Sequence, residues 1–484
     1  MIFGGMDMEL MIPLDGQSTV PMYEQIYLHI KQEIRQGNLK AKSRLPSTRT
    51  LAEHLKVSRS TTQLAYEQLL SEGYIESVPC KGYFVSAIDA LVEVQDHPSG
   101  LFVALEPGEE EGIQVDFSPR GIDLNSFPYN TWRKISKNIL VDDNKALFLN
   151  GDPQGEYALR EAIRSYLHSA RGVCCSADQI IVGAGNEYLL MLLSLVLGPD
   201  KVIAMENPTY KQAYRVFESQ GYQVLPVNMD KSGLDVGMLD RKKSEKALAD
   251  KKGEPDFIYV MPSHQYPMGI VMPIKRRQEL LAWACEKEGR YLIEDDYDSE
   301  FRYKGKPVPA LQGMDRNGRV IYIGTFSRSI APAIRVGFLV LPKNLMAEYK
   351  RKAGFFASTV SRIDQNILYQ FLTEGHYERH LNRMRSVYKA KHDCLMGELK
   401  GLEQAFWIAG EHAGIHLLLT HKEGISEEVL IARAKESGVR VYGLSRYVIH
   451  PENNQYPSTV ILGYANLTEA MIKEGCRRLK AAWN

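Results

Sequence analysis

The sequence predicts an α/β protein in two parts, a small helical N-terminal domain over 15–86 and a large α/β domain over 115–484, joined by a linker over 87–114. Three observations predict it. At 484 residues with 44% hydrophobic content, the chain exceeds what a single core organises. Charge divides it unevenly, since residues 21–85 hold nine Lys/Arg against six Asp/Glu, whereas 86–114 hold seven acidic side chains and no Lys or Arg. From about Val115 onward strand-like and helix-like segments alternate in the manner of a large α/β domain, with no internal repeat or low-complexity tract.

The first domain reads locally. Pro21 suits the start of a helix, and Tyr23, Ile26, Tyr27, Ile30 and Ile34 recur at the three- and four-residue spacings of one apolar helical face. Ser47, after Pro46, is placed to cap a short helix through Leu51, Ala52 and Leu55. Ser58 is placed to cap another that runs to Glu72 before Gly73. A tight turn at Lys56 and Val57 makes the pair a helix-turn-helix, whose second helix presents Arg59, Ser60, Thr61 and Gln63 from its first turns. Tyr74 to Val85, with Lys81 and Gly82 near the tip, reads as a two-stranded wing. The linker carries Pro98, Gly100, Pro107, Gly108 and the run Glu109 to Glu111, a composition of solvated chain, and its charge keeps it away from polyanions.

Composition narrows the function classes. Formal net charge is zero, so the chain is not coated with positive charge. The six cysteines show no C-x-x-C spacing, which indicates neither a zinc ribbon nor a disulfide framework, and no metal site is expected. The most apolar run, Tyr188 to Leu197, is too short to span a bilayer, and the N-terminus lacks the basic start of a secretory signal. The expectation is a soluble chain of a reducing cytoplasm, with no membrane partner.

The large domain carries its chemistry at strand-to-helix turns. Gly183-Ala-Gly-Asn-Glu187 leads into the apolar run, and a glycine turn opening a helix offers N–H groups and a positive dipole end to an anion. Taken alone, that loop reads as an ordinary strand-to-helix turn, and Tyr210 of Asn207-Pro-Thr-Tyr210 as a core residue. Residues 291–297 read as a buried strand delivering Asp295 and Tyr297 at its carboxyl end, where α/β sheets bind ligands. The crowd of Glu294, Asp295, Asp296, Asp298 and Glu300 is also readable as a solvated acidic loop. Thr325, Ser327 and the fork of Arg335 suit a phosphate, and Arg446, alone a surface charge, suits a carboxylate. His264 and Gln265, in Pro262-Ser-His-Gln-Tyr-Pro-Met-Gly269, receive no role.

Order adds what single motifs lack. Pro-Met-Tyr-Glu-Gln-Ile-Tyr from Pro21, Arg-Leu-Pro-Ser-Thr-Arg-Thr-Leu-Ala from Arg44, Val-Ser-Arg-Ser-Thr from Val57, and Lys-Gly-Tyr-Phe-Val from Lys81 resemble the winged helix-turn-helix of GntR-type bacterial regulators from end to end. That resemblance implies binding of double-stranded DNA through Arg44, Ser47, Thr48, Arg49, Ser58, Arg59, Ser60 and Thr61, with Lys81 and Gly82 from the wing. Residues 324–335, Gly-Thr-Phe-Ser-Arg-Ser-Ile-Ala-Pro-Ala-Ile-Arg, resemble the cofactor-lysine segment of fold-type I pyridoxal 5'-phosphate (PLP) enzymes, with Arg328 in the lysine's place. The same resemblance makes Gly185, Asn186, Thr325, Ser327 and Arg335 phosphate-side residues and gives Tyr210 a ring to stack on the pyridine. It sets Asp295 at the ring nitrogen, Tyr297 at the ring's 3-oxygen and Arg446 at an effector carboxylate.

The combination resembles the MocR/GabR subfamily of GntR-type regulators, a winged helix-turn-helix fused to a fold-type I aminotransferase-like domain. It implies a head-to-tail homodimer that senses PLP, an amino acid or related amine, or both. Arg328 departs from the pattern. Guanidinium stays protonated and is no nucleophile, so it cannot form the lysine's Schiff base, and the domain reads as a degenerate enzyme. PLP then binds without a covalent bond or as a preformed adduct, or Arg328 itself holds another phosphorylated or acidic ligand. The alternative function, a PLP-dependent aminotransferase with an appended DNA-binding module, requires a lysine in the pocket.

Overall fold

The computed structural model describes residues 10–87 except 17 and 19, and residues 112–141, 144–239, 254–303, 308–411, 413–450 and 454–483. Most of the acidic linker expected over 87–114 lies outside the described residues. The chain divides into two compact units, Met1–Pro107 and Gly108–Asn484.

The first unit holds α1 (Met22–Arg35), α2 (Thr48–Leu55), α3 (Arg59–Ser71) and a hairpin of β1 (Ile75–Val78) and β2 (Gly82–Val85). Ile26, Ile30 and Ile34 of α1 are buried as their spacing predicts and pack with Leu51, Tyr66, Leu69, Ile75 and Val85, while Tyr23 lies at the edge of that face, 36% exposed. Both expected caps are present, Ser47 Oγ accepting the Thr50 N–H at 3.1 Å and Ser58 Oγ the Thr61 N–H at 3.2 Å. Lys56 makes the turn between α2 and α3 in the left-handed region, φ 54°. Unforeseen by periodicity, residues 43–45 run beside the wing, with Leu45 N–H donating to Tyr83 O and Val85 N–H to Ser43 O, both at 2.9 Å.

The second unit opens with β3 (Val115–Asp116), α4 (Tyr129–Ile139) and α5 (Tyr157–Arg171). Strands and helices then alternate: β4 (Ile180–Gly183), α6 (Asn186–Leu197), β5 (Val202–Asn207), α7 (Lys211–Ser219), β6 (Gln223–Asp230), β7 (Gly233–Leu234), β8 (Phe257–Val260), α8 (Ile274–Cys285), β9 (Tyr291–Asp296), β10 (Val320–Thr325), β11 (Gly337–Val340) and α9 (Lys343–Lys352). These strands form one mixed sheet of eight in the order β4-β11-β10-β9-β8-β5-β6-β7. Its centre, β10-β9-β8-β5-β6, is parallel, and β11 runs against both neighbours, so β4 points the same way as β10. Both sheet faces are covered. Ile293, Ile321 and Ile323 enter one core, and Leu292 and Val320 enter another, which is why these strands read as apolar runs without alternation.

Beyond it come α10 (Arg362–Thr373), the long α11 (His376–Leu399), β12 (Phe406–Ala409), β13 (His416–His421), α12 (Glu427–Glu436), β14 (Val439–Arg440), β15 (Tyr442–Gly443), β16 (Thr459–Gly463) and α13 (Glu469–Trp483). Here β12, β13, β16 and β15 make an antiparallel sheet, and β14 pairs in parallel with β3, Val439 opposite Val115. That pairing pins the start of the second unit to its C-terminal layer. No helix among the described residues is long and apolar enough to cross a membrane.

Candidate functional site

In the first unit the polar residues of the two short helices stand on the surface. Arg44, Ser47, Arg49, Ser58, Arg59, Ser60 and Lys81 are exposed, and Thr61 and Gly82 are half-buried. A shallow groove lined by Arg49, Glu53, Lys56 and Arg59 runs between α2 and α3. Arg49 Nε donates to Glu53 at 3.0 Å with its side chain 78% exposed, so the arginine is lightly held. Arg44 lies against the wing, where a Cβ at Gly82 (φ +105°) would sit 3.6 Å from its Nε. Thr48 corrects the sequence expectation. It is 9% exposed, its carbonyl accepts the Thr62 hydroxyl at 2.8 Å, and this first residue of α2 faces the helix-helix contact rather than solvent.

In the second unit the carboxyl ends of β4, β5, β8, β9 and β10 open on one cleft of about 860 Å³. Asn186, Tyr210, Asp295, Tyr297, Thr325, Ser327, Arg328, Arg335 and Arg446 all line it. Gly185, also expected there, caps α6 at φ +90°, and a Cβ on it would come within 2.8 Å of an Arg335 nitrogen. The glycine therefore lets the α6 N-terminus and Arg335 share one space, the arrangement an anion needs.

Asp295 is the most constrained group. It is 3% exposed, and Oδ2 accepts from Asn186 Nδ2 at 2.8 Å and from the Tyr259 hydroxyl. Burial pushes its carboxyl up to about 6 against these two hydrogen bonds. Tyr259, on β8, escaped the sequence reading because its position is that of a core strand residue. The solvated-loop reading of the neighbouring acids fails: Glu294, Asp296 and Asp298 are all buried. Each has its own partners: Asp296 Oδ2 takes Arg171 Nε at 2.8 Å and Tyr322 OH at 2.6 Å, Glu294 takes the amides of Leu311 and Gln312 at 2.7 and 2.8 Å, and Asp298 takes His264 Nδ1 at 2.9 Å.

His264 and Gln265 thereby gain positions. His264 Nδ1 also hydrogen-bonds the Tyr297 hydroxyl at 3.0 Å, so the phenol expected to face a ring oxygen is already oriented by a buried His–Asp pair. Gln265 donates to Pro208 O and Tyr266 O at 2.9 Å each, closing the turn that carries Tyr266 into the cleft. Tyr266 and Tyr447, whose hydroxyls meet at 2.9 Å, are wall residues that no motif announced.

The residues expected on the phosphate side are arranged by one another. Thr325 Oγ1 accepts the Ser327 N–H at 3.1 Å. Glu187, unassigned from sequence, accepts Tyr210 OH at 3.2 Å and Arg335 Nη2 at 3.1 Å. Burial pushes its carboxyl upward, but its own helix-start amide and Arg335 leave it below the ordinary value. Arg446 lies over the Tyr442 ring at 5.3 Å. Arg328 donates from Nη2 to Pro119 O at 3.2 Å, while Nη1 is buried with no hydrogen-bond partner among the described residues. Arg120, Lys211, Arg215, Arg328, Arg335 and Arg446 line the cleft against two carboxylates, Glu187 and Asp295, which sets a positive field for an anionic ligand.

Two family descriptions match the chain: residues 22–85 the bacterial regulatory proteins of the gntR family, and residues 122–479 aminotransferase class I and II. It is 38% identical to the uncharacterized HTH-type transcriptional regulator YdeL of Bacillus subtilis (strain 168), over 97% of this chain and 98% of that one. It is 34% identical to the probable rhizopine catabolism regulatory protein MocR of Rhizobium meliloti, over 98% and 96%. Among solved structures it resembles the multiple substrate aminotransferase of Thermococcus profundus, with a TM-score of 0.68 and 26% identity, covering 78% of this chain and 93% of that one.

Proposed function

Since the chain belongs to the MocR/GabR subfamily of GntR-type transcription regulators, we propose that its aminotransferase-like unit is a PLP-type sensor that works without the catalytic lysine. The observation that carries this is the single cleft gathering Asn186, Tyr210, Asp295, Tyr297, Thr325, Ser327 and Arg335 around Arg328. Such a set fits a phosphorylated pyridine. Arg335, Thr325, Ser327 and the α6 N-terminus would hold the phosphate, Asp295 the ring nitrogen, and Tyr210 one ring face. When bound, PLP supplies an electron-withdrawing ring and an aldehyde carbon.

The chain's own residues do the rest. Tyr259 and Asn186 aim Asp295, the His264–Asp298 pair aims Tyr297, and Glu187 fixes Tyr210 and Arg335 together. Arg328 replaces an amine that would attack a carbonyl by a cation that cannot, which favours sensing over the alternative of an aminotransferase with an appended module. Arg446, stacked on Tyr442, is the reading's ligand for the carboxylate of an amino-acid effector. Arg44, Arg49, Arg59, Ser47, Ser58, Ser60, Thr61 and the wing residues Lys81 and Gly82 are its DNA contacts. A homodimer supplies two such faces, and the exposed Phe148, Leu149 and Phe355, 72%, 68% and 74% accessible, are apolar surface that self-association would cover.

Selecting from a random duplex library on the full chain, with and without PLP, tests the reading. The expected outcome is enrichment of paired half-sites whose occupancy PLP or an added amino acid changes. No enrichment, or occupancy indifferent to both, would refute it.

A further inference from the structure

Arg328 Nη1, buried and without a hydrogen-bond partner among the described residues, points beyond a lost lysine. Arginine offers only donors and never becomes neutral in a protein, so a buried Nη1 without an acceptor is an unmet demand for oxygen. Neighbouring carboxylates do not answer it, because Glu187 is committed to Arg335 and Tyr210, and Asp295 to Tyr259 and Asn186. The guanidinium is also held in place. Its other terminal nitrogen donates to Pro119 O, just after Phe117, whose N–H donates to Arg440 O at 3.0 Å and whose carbonyl accepts the Gly463 N–H at 2.9 Å. Arg328 is thus braced by a segment tied into the C-terminal layer and cannot simply swing away.

We propose that Arg328 makes the cleft select ligands presenting a carbonyl or carboxylate oxygen to it and exclude those presenting an ammonium, so that the sensor distinguishes the oxidised from the aminated form of a phosphorylated pyridine. The proposal rests on the PLP-type reading of the cleft. A carboxylate meets the cleft-lining guanidinium of Arg328 with a charge-assisted hydrogen bond, an aldehyde oxygen with a neutral acceptor, and an aminomethyl group, protonated at neutral pH, with like charge inside a field set by five further cations. Discrimination comes as much from that repulsion as from the bond gained.

The test is calorimetric titration of the full chain with three probes that differ only at the ring's 4-position: PLP (aldehyde), pyridoxamine 5'-phosphate (aminomethyl) and 4-pyridoxic acid 5'-phosphate (carboxylate). The carboxylate probe cannot form an imine with any lysine, including the cleft-lining Lys211, so its binding is read as purely reversible. Expected is an order of carboxylate, then aldehyde, then amine, with at least about tenfold between first and last. In Arg328→Met and Arg328→Gln that ratio should fall by at least about threefold, the five further cations keeping the remainder. Equal binding of all three probes by the wild type overturns the proposal while leaving the PLP-type reading intact, as does a preference undiminished in the variants, which would make Arg328 only a brace for Pro119. If no probe binds the wild type, the PLP-type reading falls and the proposal with it. Should neither variant fold, a wild-type order other than carboxylate, aldehyde, amine still overturns the proposal.

Discussion

The helix-turn-helix and the ligand cleft reach polar function by opposite routes. In the first, the side chains proposed to contact DNA lie between Arg44 and Gly82, are mostly exposed, and are held by caps and short salt bridges to near neighbours in sequence. In the second, Pro119, Asn186, Asp295, Arg328 and Arg446 come together from across the chain, and the carboxylate at its centre is 3% exposed. The contrast teaches where substitutions will act. Exposed residues can be removed with the fold kept, whereas cleft residues belong to networks that also hold the sheet together.

The sharpest way to break the contrast is Arg328→Lys, which asks whether the cleft differs from an enzyme's by one side chain. With PLP added, this variant should show a visible absorption band and, after borohydride, a modified peptide containing residue 328, while the wild type shows neither. A variant behaving like wild type would mean that the cleft has diverged beyond this position. Next in size is the buried pair of Arg171 and Asp296, whose side chains are 3% and 1% exposed. Removing one partner strands the other, so Arg171→Met should cost about 3–5 kcal/mol in denaturant unfolding of the second unit. A loss no larger than that of an exposed pair would show that burial does not separate the two regions.

On the DNA side, Arg59→Ala should weaken operator binding by about 1–3 kcal/mol if it reads a base, with the far-ultraviolet spectrum unchanged. Fluorescence anisotropy over a salt series checks it, and unchanged affinity would remove Arg59 from the interface. Asp295 sharpens the comparison through pH. Burial raises its carboxyl to about 6, so it is neutral below that value and charged above it, and only the charged form pairs with a protonated ring nitrogen. PLP affinity should therefore climb through that range by about tenfold more in the wild type than in Asp295→Asn, both sharing the ionisation of the ligand's phosphate. Parallel profiles would remove Asp295 from the ligand. The smallest effect is local: Ser58→Ala loses the cap that accepts the Thr61 N–H and should cost about 1 kcal/mol in the stability of the first unit.

Legibility followed the same divide. Spacing alone placed Ile26, Ile30 and Ile34 inside α1, and residue type alone placed Ser47 and Ser58 at helix starts, since both signals are written within one or two turns. The segment beside the wing and the burial of Thr48 were not legible, because each depends on a strand or helix arriving from elsewhere. In the second unit, motif order named Asn186, Tyr210, Asp295, Tyr297, Thr325, Ser327, Arg328, Arg335 and Arg446, which the fold brings to one cleft. It gave no role to Tyr259, Glu187, Tyr266 or His264, whose partners come from elements distant in the chain.

What the sequence by itself determined is the inventory: two units, the helical faces and caps of the first, the apolar central strands of the second, and an arginine at residue 328. Only the tertiary structure decided which charges are paired. Parallel packing of β8, β9 and β10 sets Tyr259 and Tyr322 against Asp295 and Asp296, and the β3–β14 pairing brings Pro119 to Arg328. The physical reason is that periodicity and capping are interactions of neighbours along the chain, whereas a buried charge is satisfied only by whatever the fold carries to within about 3 Å of it.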